Sequence, residues 1–184
     1  MNRDEALNLL KQNLSNQNLL KHSLAVEAVM RGLAKRFGEN QEKWGICGLL
    51  HDIDYEQVKD NLSQHSLRGA EILEEAGLDD EICQAVKTHN EAHGILPQSL
   101  MAKALFVIDP LTGLIVAAAL VLPSKKLADL TVENVLNRFP EKSFAKGANR
   151  EIIKKGEELL DLTLPEIIEI ALKAMQTIAN DLGL

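Results

Sequence analysis

The stretch Gly48-Leu49-Leu50-His51-Asp52-Ile53-Asp54 decides how this chain is read. Two leucines lead into adjacent His and Asp at the point where an apolar helix is predicted to end. His51 offers an imidazole nitrogen and Asp52 a carboxylate oxygen, unlike donors that together suit a divalent cation. In mid-helix, neighbouring side chains diverge by about 100°. At a helix end the backbone can bend and turn both toward one point. The dipeptide alone equally describes a helix terminus with two solvated polar residues, so its meaning depends on what the rest of the chain brings to it.

The surrounding composition favours helices. The chain has 184 residues, enough for one domain with a real core. Hydrophobic residues make up 46% and aromatics only 3%, so Leu, Ile, Val and Ala carry the core. That mix, with few glycines and prolines, suits helices better than sheets. A formal net charge of −7 argues against broad nucleic-acid binding. Cys47 and Cys83 each fall within an apolar helical pattern, as core residues of a reducing compartment would. Met1 to Leu14 carries Arg3, Asp4, Glu5 and Lys11 and is no signal peptide, so a cytoplasmic location is expected. Ala104 to Leu122 approaches the length of a membrane span. It is interrupted by Asp109-Pro110 and rich in alanine, and is read as the most buried part of a helical core, with no membrane contact expected.

Periodicity places the remaining histidines. Ala6, Leu7, Leu10 and Leu14 define a first helix, and Ser15-Asn16 a break with an N-cap. A second helix runs from about Gln17 to Phe37 and stops at Gly38, with His22 on its apolar face beside Val26 and Val29. The third, from about Gln41 to Leu50, delivers His51 and Asp52. A loop then runs from Asp54 to about Ser63. His65 is predicted to open a helix reaching Ala76, with Gly69 and Ile72 on its inner face and Arg68 one step round. Asp79-Asp80 suits the start of the next helix, whose stripe of Ile82, Ala85 and Val86 turns His89 inward. His93 lacks the Glu spacing of a helical zinc-protease motif and reads as a loop residue. Pro97 is predicted to start a helix that ends at Asp109, before a further buried helix from Leu111 to Leu122. Thr163-Leu164-Pro165-Glu166 reads as a capped start of the last helix, which runs to about Asp181 and is structural or a dimer surface.

Three inward histidines in one small core each need a polar partner, and a cation supplies one to all of them. An acid among residues as apolar as those around Asp109 also calls for a partner or a cation. The donors are nitrogen and oxygen without sulfur, which suits Mn²⁺, Fe²⁺, Co²⁺, Ni²⁺ or Mg²⁺, and Zn²⁺ less exclusively. Between Ser124 and Arg150 the charge changes sign, with six basic and three acidic residues. Such a segment is either a solvated loop or the place where a phosphate-bearing substrate is met.

The order His22, His51-Asp52, Asp109 resembles the HD superfamily of metal-dependent phosphohydrolases, and Gly48 to Ile53 is close to that family's core phrase. The family's common form continues with Gly, where this chain has Asp54. His65 and His89 fall where branches with a two-metal site add histidines. The resemblance covers about residues 18 to 122, with a C-terminal extension over 123 to 184. The tail, with Lys142-Ser143-Phe144-Ala145 and Arg150, is similar to small stand-alone predicted hydrolases of prokaryotes. The resemblance implies a single all-α domain over 1–184, a helical bundle with metal held between helices. It implies His22, His51, Asp52 and Asp109 as ligands of a first ion, with His65 and His89 holding a second ion or a phosphate oxygen. Asp52 would bridge two ions. Asp54 is the candidate general base, against a plain loop acid. Arg68, Lys125, Lys126, Lys142 and Arg150 are the candidates for offsetting substrate charge.

The implied activity is hydrolysis of a nucleotide or other small phosphate ester by metal-activated water. The alternatives are a nucleotide-binding module without turnover and a helical scaffold with a structural metal.

Overall fold

The computed structural model describes residues 1–141 and 143–184. Among them every regular element is helical, as the composition leads one to expect. The first three helices are α1 (Arg3–Asn13), α2 (Gln17–Phe37) and α3 (Gln41–Leu50). Asparagines cap all three: Asn2 in a capping box with Glu5, Asn16 accepting from the Asn18 and Leu19 amides, Asn40 from those of Glu42 and Lys43. Gly38 ends α2 at φ 74°, a left-handed position that suits glycine.

Every residue of α3 from Trp44 to Leu50 is buried. A helix apolar all round belongs at the centre of a bundle, and α1, α2 and α6 surround this one. Its closest neighbour is α2. A Cβ built on Gly48 would lie 2.9 Å from the Val26 carbonyl oxygen and 3.0 Å from the Glu27 nitrogen. The two helices therefore cross backbone to backbone at a position only glycine permits. His22 lies one turn before this crossing on α2, and His51 one turn after it at the end of α3.

After α3 come a single turn α4 (Tyr55–Val58), then α5 (Leu67–Glu75) and α6 (Asp80–Thr88). The predicted helix start at His65 does not form. His65 lies between a 3₁₀ turn (Leu62–Gln64) and α5, at φ −57° and ψ 139°, and the next residue, Ser66, has φ 71°. Helical phase is interrupted on both sides of the histidine.

The long helix α7 spans Leu100–Leu120 and corrects two expectations. It starts after the Ser99 N-cap instead of at Pro97, and it runs through Pro110 without stopping. Proline removes one N–H from a helix interior and crowds the preceding turn. The burial of Ala104 to Ile108 on one side of it, and of Leu111, Thr112, Leu114 and Ile115 on the other, outweighs that cost. By length and composition α7 is the one helix among the described residues that could cross a membrane, and here most of its apolar window is buried inside the bundle.

The C-terminal part folds as α8 (Val132–Arg138), α9 (Arg150–Leu160), α10 (Leu164–Thr177) and α11 (Ala179–Leu182). Thr163 and Glu166 form the predicted capping box, but the helix breaks at Ile178 before resuming. α9 and α10 lie on α7, and α10 also on α2. A Cβ on Gly156 would meet Val107 at 2.7 Å and Ile167 at 2.8 Å, which marks how closely these helices pack.

Candidate metal centre

Six side chains from five separate segments meet where α2 packs against α3 and α7. His22 comes from α2, His51 and Asp52 from the end of α3, His65 from the turn before α5, His89 from the end of α6 and Asp109 from mid-α7. His22 Nε2 lies 2.9 Å from Asp109 Oδ1 and 3.2 Å from His51 Nε2. His51 Nε2 is 3.3 Å from Asp52 Oδ2 and 3.6 Å from Asp109 Oδ1. The other oxygen of Asp52 faces a different pair: Oδ1 lies 3.3 Å from His65 Nε2 and 3.5 Å from His89 Nε2. One carboxylate thus divides the cluster, with His22, His51 and Asp109 on one side and His65 and His89 on the other.

All four histidines turn Nε2 inward, and each Nδ1 is engaged behind it. His51 Nδ1 pairs with the Gly48 carbonyl at 2.9 Å, and His89 Nδ1 with the Val86 carbonyl at 2.6 Å. The Thr112 hydroxyl donates to the Asp109 carbonyl at 2.8 Å, which leaves its oxygen to accept from His22 Nδ1 at 3.3 Å. His65 Nδ1 pairs with Asp54 Oδ1 at 3.0 Å. An N–H given away at Nδ1 leaves a lone pair at Nε2, the tautomer a metal ligand requires. His89 Nε2 is buried and has no hydrogen-bond partner. An orphaned buried nitrogen facing a carboxylate fits a cation between them. The donor set fits a first-row divalent ion or Mg²⁺.

Charge in the cluster is mutually sustained. Burial disfavours the charged forms of His51, His65, Asp52 and Asp109. For His51, Asp52 and Asp109 outweigh burial and hold the imidazole well above its usual range. Burial likewise opposes charge on His65, but hydrogen bonds to Asp52 and Asp54 raise it to about 9. Against burial, His51, His65 and His89 hold Asp52 well below the usual carboxylate range, and His22 and His51 do the same for Asp109. Four imidazoles and two carboxylates stay together here only by sharing protons or a metal.

The other candidate residues are placed elsewhere. Arg68 is half-exposed and pairs with Glu71 at 3.0 Å and Glu75 at 3.2 Å on its own helix, away from the cluster. The acids three and seven residues on are the right distance to claim it. Arg150 turns inward onto the chain, donating to the carbonyls of Phe139, Ala145 and Ala148. It fastens the preceding loop and is not free to meet a phosphate. Lys125 and Lys126 are exposed in the turn after α7, and no contact joins them to the cluster. Lys142 lies outside the described residues. His93, read as a loop residue, instead ends a 3₁₀ turn (Glu91–His93), is half-buried, and its Nε2 grips the His65 carbonyl at 2.6 Å. Asp54 is neither a solvated loop acid nor a free base: it is fully buried and its oxygens are taken by His65 and by the Ser66 and Gly69 amides.

Sequence reasoning did not find Thr112, Ser66 or the cavity wall. A cavity of about 200 Å³ opens on the cluster, bounded by His22, His89, Phe106, Asp109, Asn149 and Ile152. Asn149 and Ile152 come from the C-terminal extension, and no spacing in the sequence joins them to His22. A larger groove of about 620 Å³ between α2 and α10 contains none of the histidines.

The HD domain family model matches residues 19–114, just over half of the chain. The chain belongs to the HD domain family. The match to this HD model takes in all six residues of the cluster and ends inside α7. Among curated proteins the HD chain is similar to ribonuclease Y of Lawsonia intracellularis, at 30% identity over 74% of this chain and 26% of the relative. It is similar to ribonuclease Y of Thermosipho melanesiensis at 31% identity, over 83% and 29% respectively. With ribonuclease Y of Fervidobacterium nodosum it shares 29% identity, over 91% and 31%. The chain thus spans between a quarter and a third of the length of these relatives.

Proposed function

We propose that this chain is a metal-dependent phosphohydrolase whose substrate is a small phosphodiester, a nucleotide derivative or short oligonucleotide. The observation that carries the reading is the uniform presentation of four Nε2 atoms to two carboxylates, with every Nδ1 engaged behind. His22, His51, Asp52 and Asp109 would hold one divalent ion, and His65, His89 and the second oxygen of Asp52 another. When bound, such an ion lowers the pKa of coordinated water and polarises a phosphoryl oxygen. The chain's own part is to fix the donors, exclude bulk water and admit the phosphoryl group. A cavity of about 200 Å³ is below the usual ligand-pocket range of roughly 300–1,000 Å³. It admits the reacting phosphate and leaves the rest of the substrate outside.

Charge supports a diester over a polyphosphate. Arg68 and Arg150 are occupied by partners of their own and Lys125 and Lys126 are exposed, so among the described residues little beyond the histidines and an ion offsets substrate charge. The relatives' name, ribonuclease Y, agrees with diester chemistry. The acidic net charge favours a short substrate over a long nucleic acid.

The test is a panel of phosphomonoesters and phosphodiesters given to protein loaded with Mn²⁺, Fe²⁺, Co²⁺ or Ni²⁺, beside His51→Ala. Turnover of a diester, reduced at least 100-fold in the variant, is expected. Identical traces for both proteins across the panel would end the hydrolase reading. Tight nucleotide binding without product would replace it with the binding-module alternative.

A further inference from the structure

We propose that Asp54 is the positioning residue of the His65–His89 half of the centre: it locks the His65 ring with Nε2 toward Asp52 and so gives that half its affinity for an ion. The inference rests on the metal reading above and deepens it. His22 stands on a helix, and His51 and His89 each close one, so backbone geometry aims these three. His65 has no helix. It sits in an extended turn followed by Ser66 at positive φ. Sites carried on loops are held less precisely than sites on helices, so a loop ligand needs an external anchor.

Two anchors are present. The His65 carbonyl is gripped by His93 Nε2 at 2.6 Å and Asn90 Nδ2 at 3.3 Å, which fixes the backbone. On the ring, Asp54 holds Nδ1, while Tyr55 and His89 pack edge-on against its faces. Asp54 is in turn immobilised, with Oδ2 accepting from the Ser66 amide at 2.8 Å and the Gly69 amide at 2.9 Å. A Cβ on Gly69 would press on Asp54 at 3.3 Å, so the absence of a side chain there shapes the carboxylate's seat. The other three histidines lean on neutral oxygens, and only His65 leans on a carboxylate. A carboxylate accepts only, so it enforces one tautomer, with the proton on Nδ1 and the lone pair on Nε2.

Asp54→Asn is the discriminating variant. It keeps the shape and an oxygen for the two amides, but turns an amide N–H toward His65 Nδ1 and reverses that hydrogen bond. Two readouts are taken on the full chain: the tautomer of the neutral His65 ring by ¹⁵N imidazole NMR on metal-free protein above pH about 9, past its raised pKa, and Mn²⁺ binding by calorimetry. Wild type is expected to hold the Nδ1–H tautomer and to bind two ions. In Asp54→Asn the tautomer switches, and the weaker ion loses affinity about 10–100-fold, the usual effect of removing such a partner. The tighter ion stays within about twofold, and adding Asp54→Asn to His65→Ala costs nothing further. Unchanged tautomer and unchanged binding of both ions in Asp54→Asn would overturn the inference and leave the metal reading standing. No ion bound by wild type would overturn the metal reading and the claim on affinity with it, while the tautomer still decides whether Asp54 sets the ring.

Discussion

At the scale of single residues, the cluster is a set of charges that burial opposes and pairing sustains. Protonated His65 is favoured in the folded chain, with a pKa of about 9 against about 6.5 when unfolded. A raised folded pKa contributes stability that is complete below the unfolded value and disappears as pH climbs through the folded one. His51 is raised as well and acts in the same direction. Metal-stripped protein is therefore expected to lose stability between about pH 6.5 and 9, seen as a falling urea midpoint. His65→Gln should flatten part of that slope. A midpoint that does not change across the window would show that the cluster carries no proton in the absence of metal. Asp52 and Asp109 act at the other end, since depressed carboxylates lose their contribution as pH falls below about 4.

At the scale of elements, the crossing of α2 and α3 sets the spacing between His22 and His51. In Gly48→Ala the new methyl group meets backbone atoms at 2.9 and 3.0 Å, and backbone cannot swing aside as a side chain can. A loss of about 1–3 kcal/mol in chemical denaturation is expected, with weaker Mn²⁺ binding because the two histidines are driven apart. Gly113→Ala on α7 is the control. Among the described residues nothing lies within 4 Å of its Cβ position, so the helix should gain roughly 0.5–1 kcal/mol instead. Equal effects at the two positions would refute the crossing argument. These elements were largely legible in the sequence: the Asn16 cap, Gly38 and the phases of His22 and His89 follow from local chemistry. What was not legible depended on distant partners. Pro110 reads locally as a stop, and only the packing on both sides of α7 carries the helix through it. Arg68, Arg150 and Asp54 looked available because their partners are set by side-chain direction or by folding of the loop around them.

At the scale of the molecule, the residues that hold the centre and the residues that cover it come from different parts of the chain. The HD match ends at residue 114, within α7, while α9 and α10 from the extension cover that helix and Asn149 and Ile152 close the cavity. A fragment of residues 19–114 keeps all six donors but cuts α7 short and uncovers its apolar side, including Val107 where Gly156 packs. Such a fragment is expected to aggregate, or to bind a hydrophobic dye and show broad NMR lines, while the full chain does neither. A monomeric, well-dispersed fragment would show that the extension is dispensable for folding. The path of α7 thus separates two kinds of boundary: inheritance marks the chain off in the middle of a helix, where folding recognises no seam. Whatever reshapes the outer helices also reshapes the chamber around the histidines, so a lineage can retune this centre without altering a single donor.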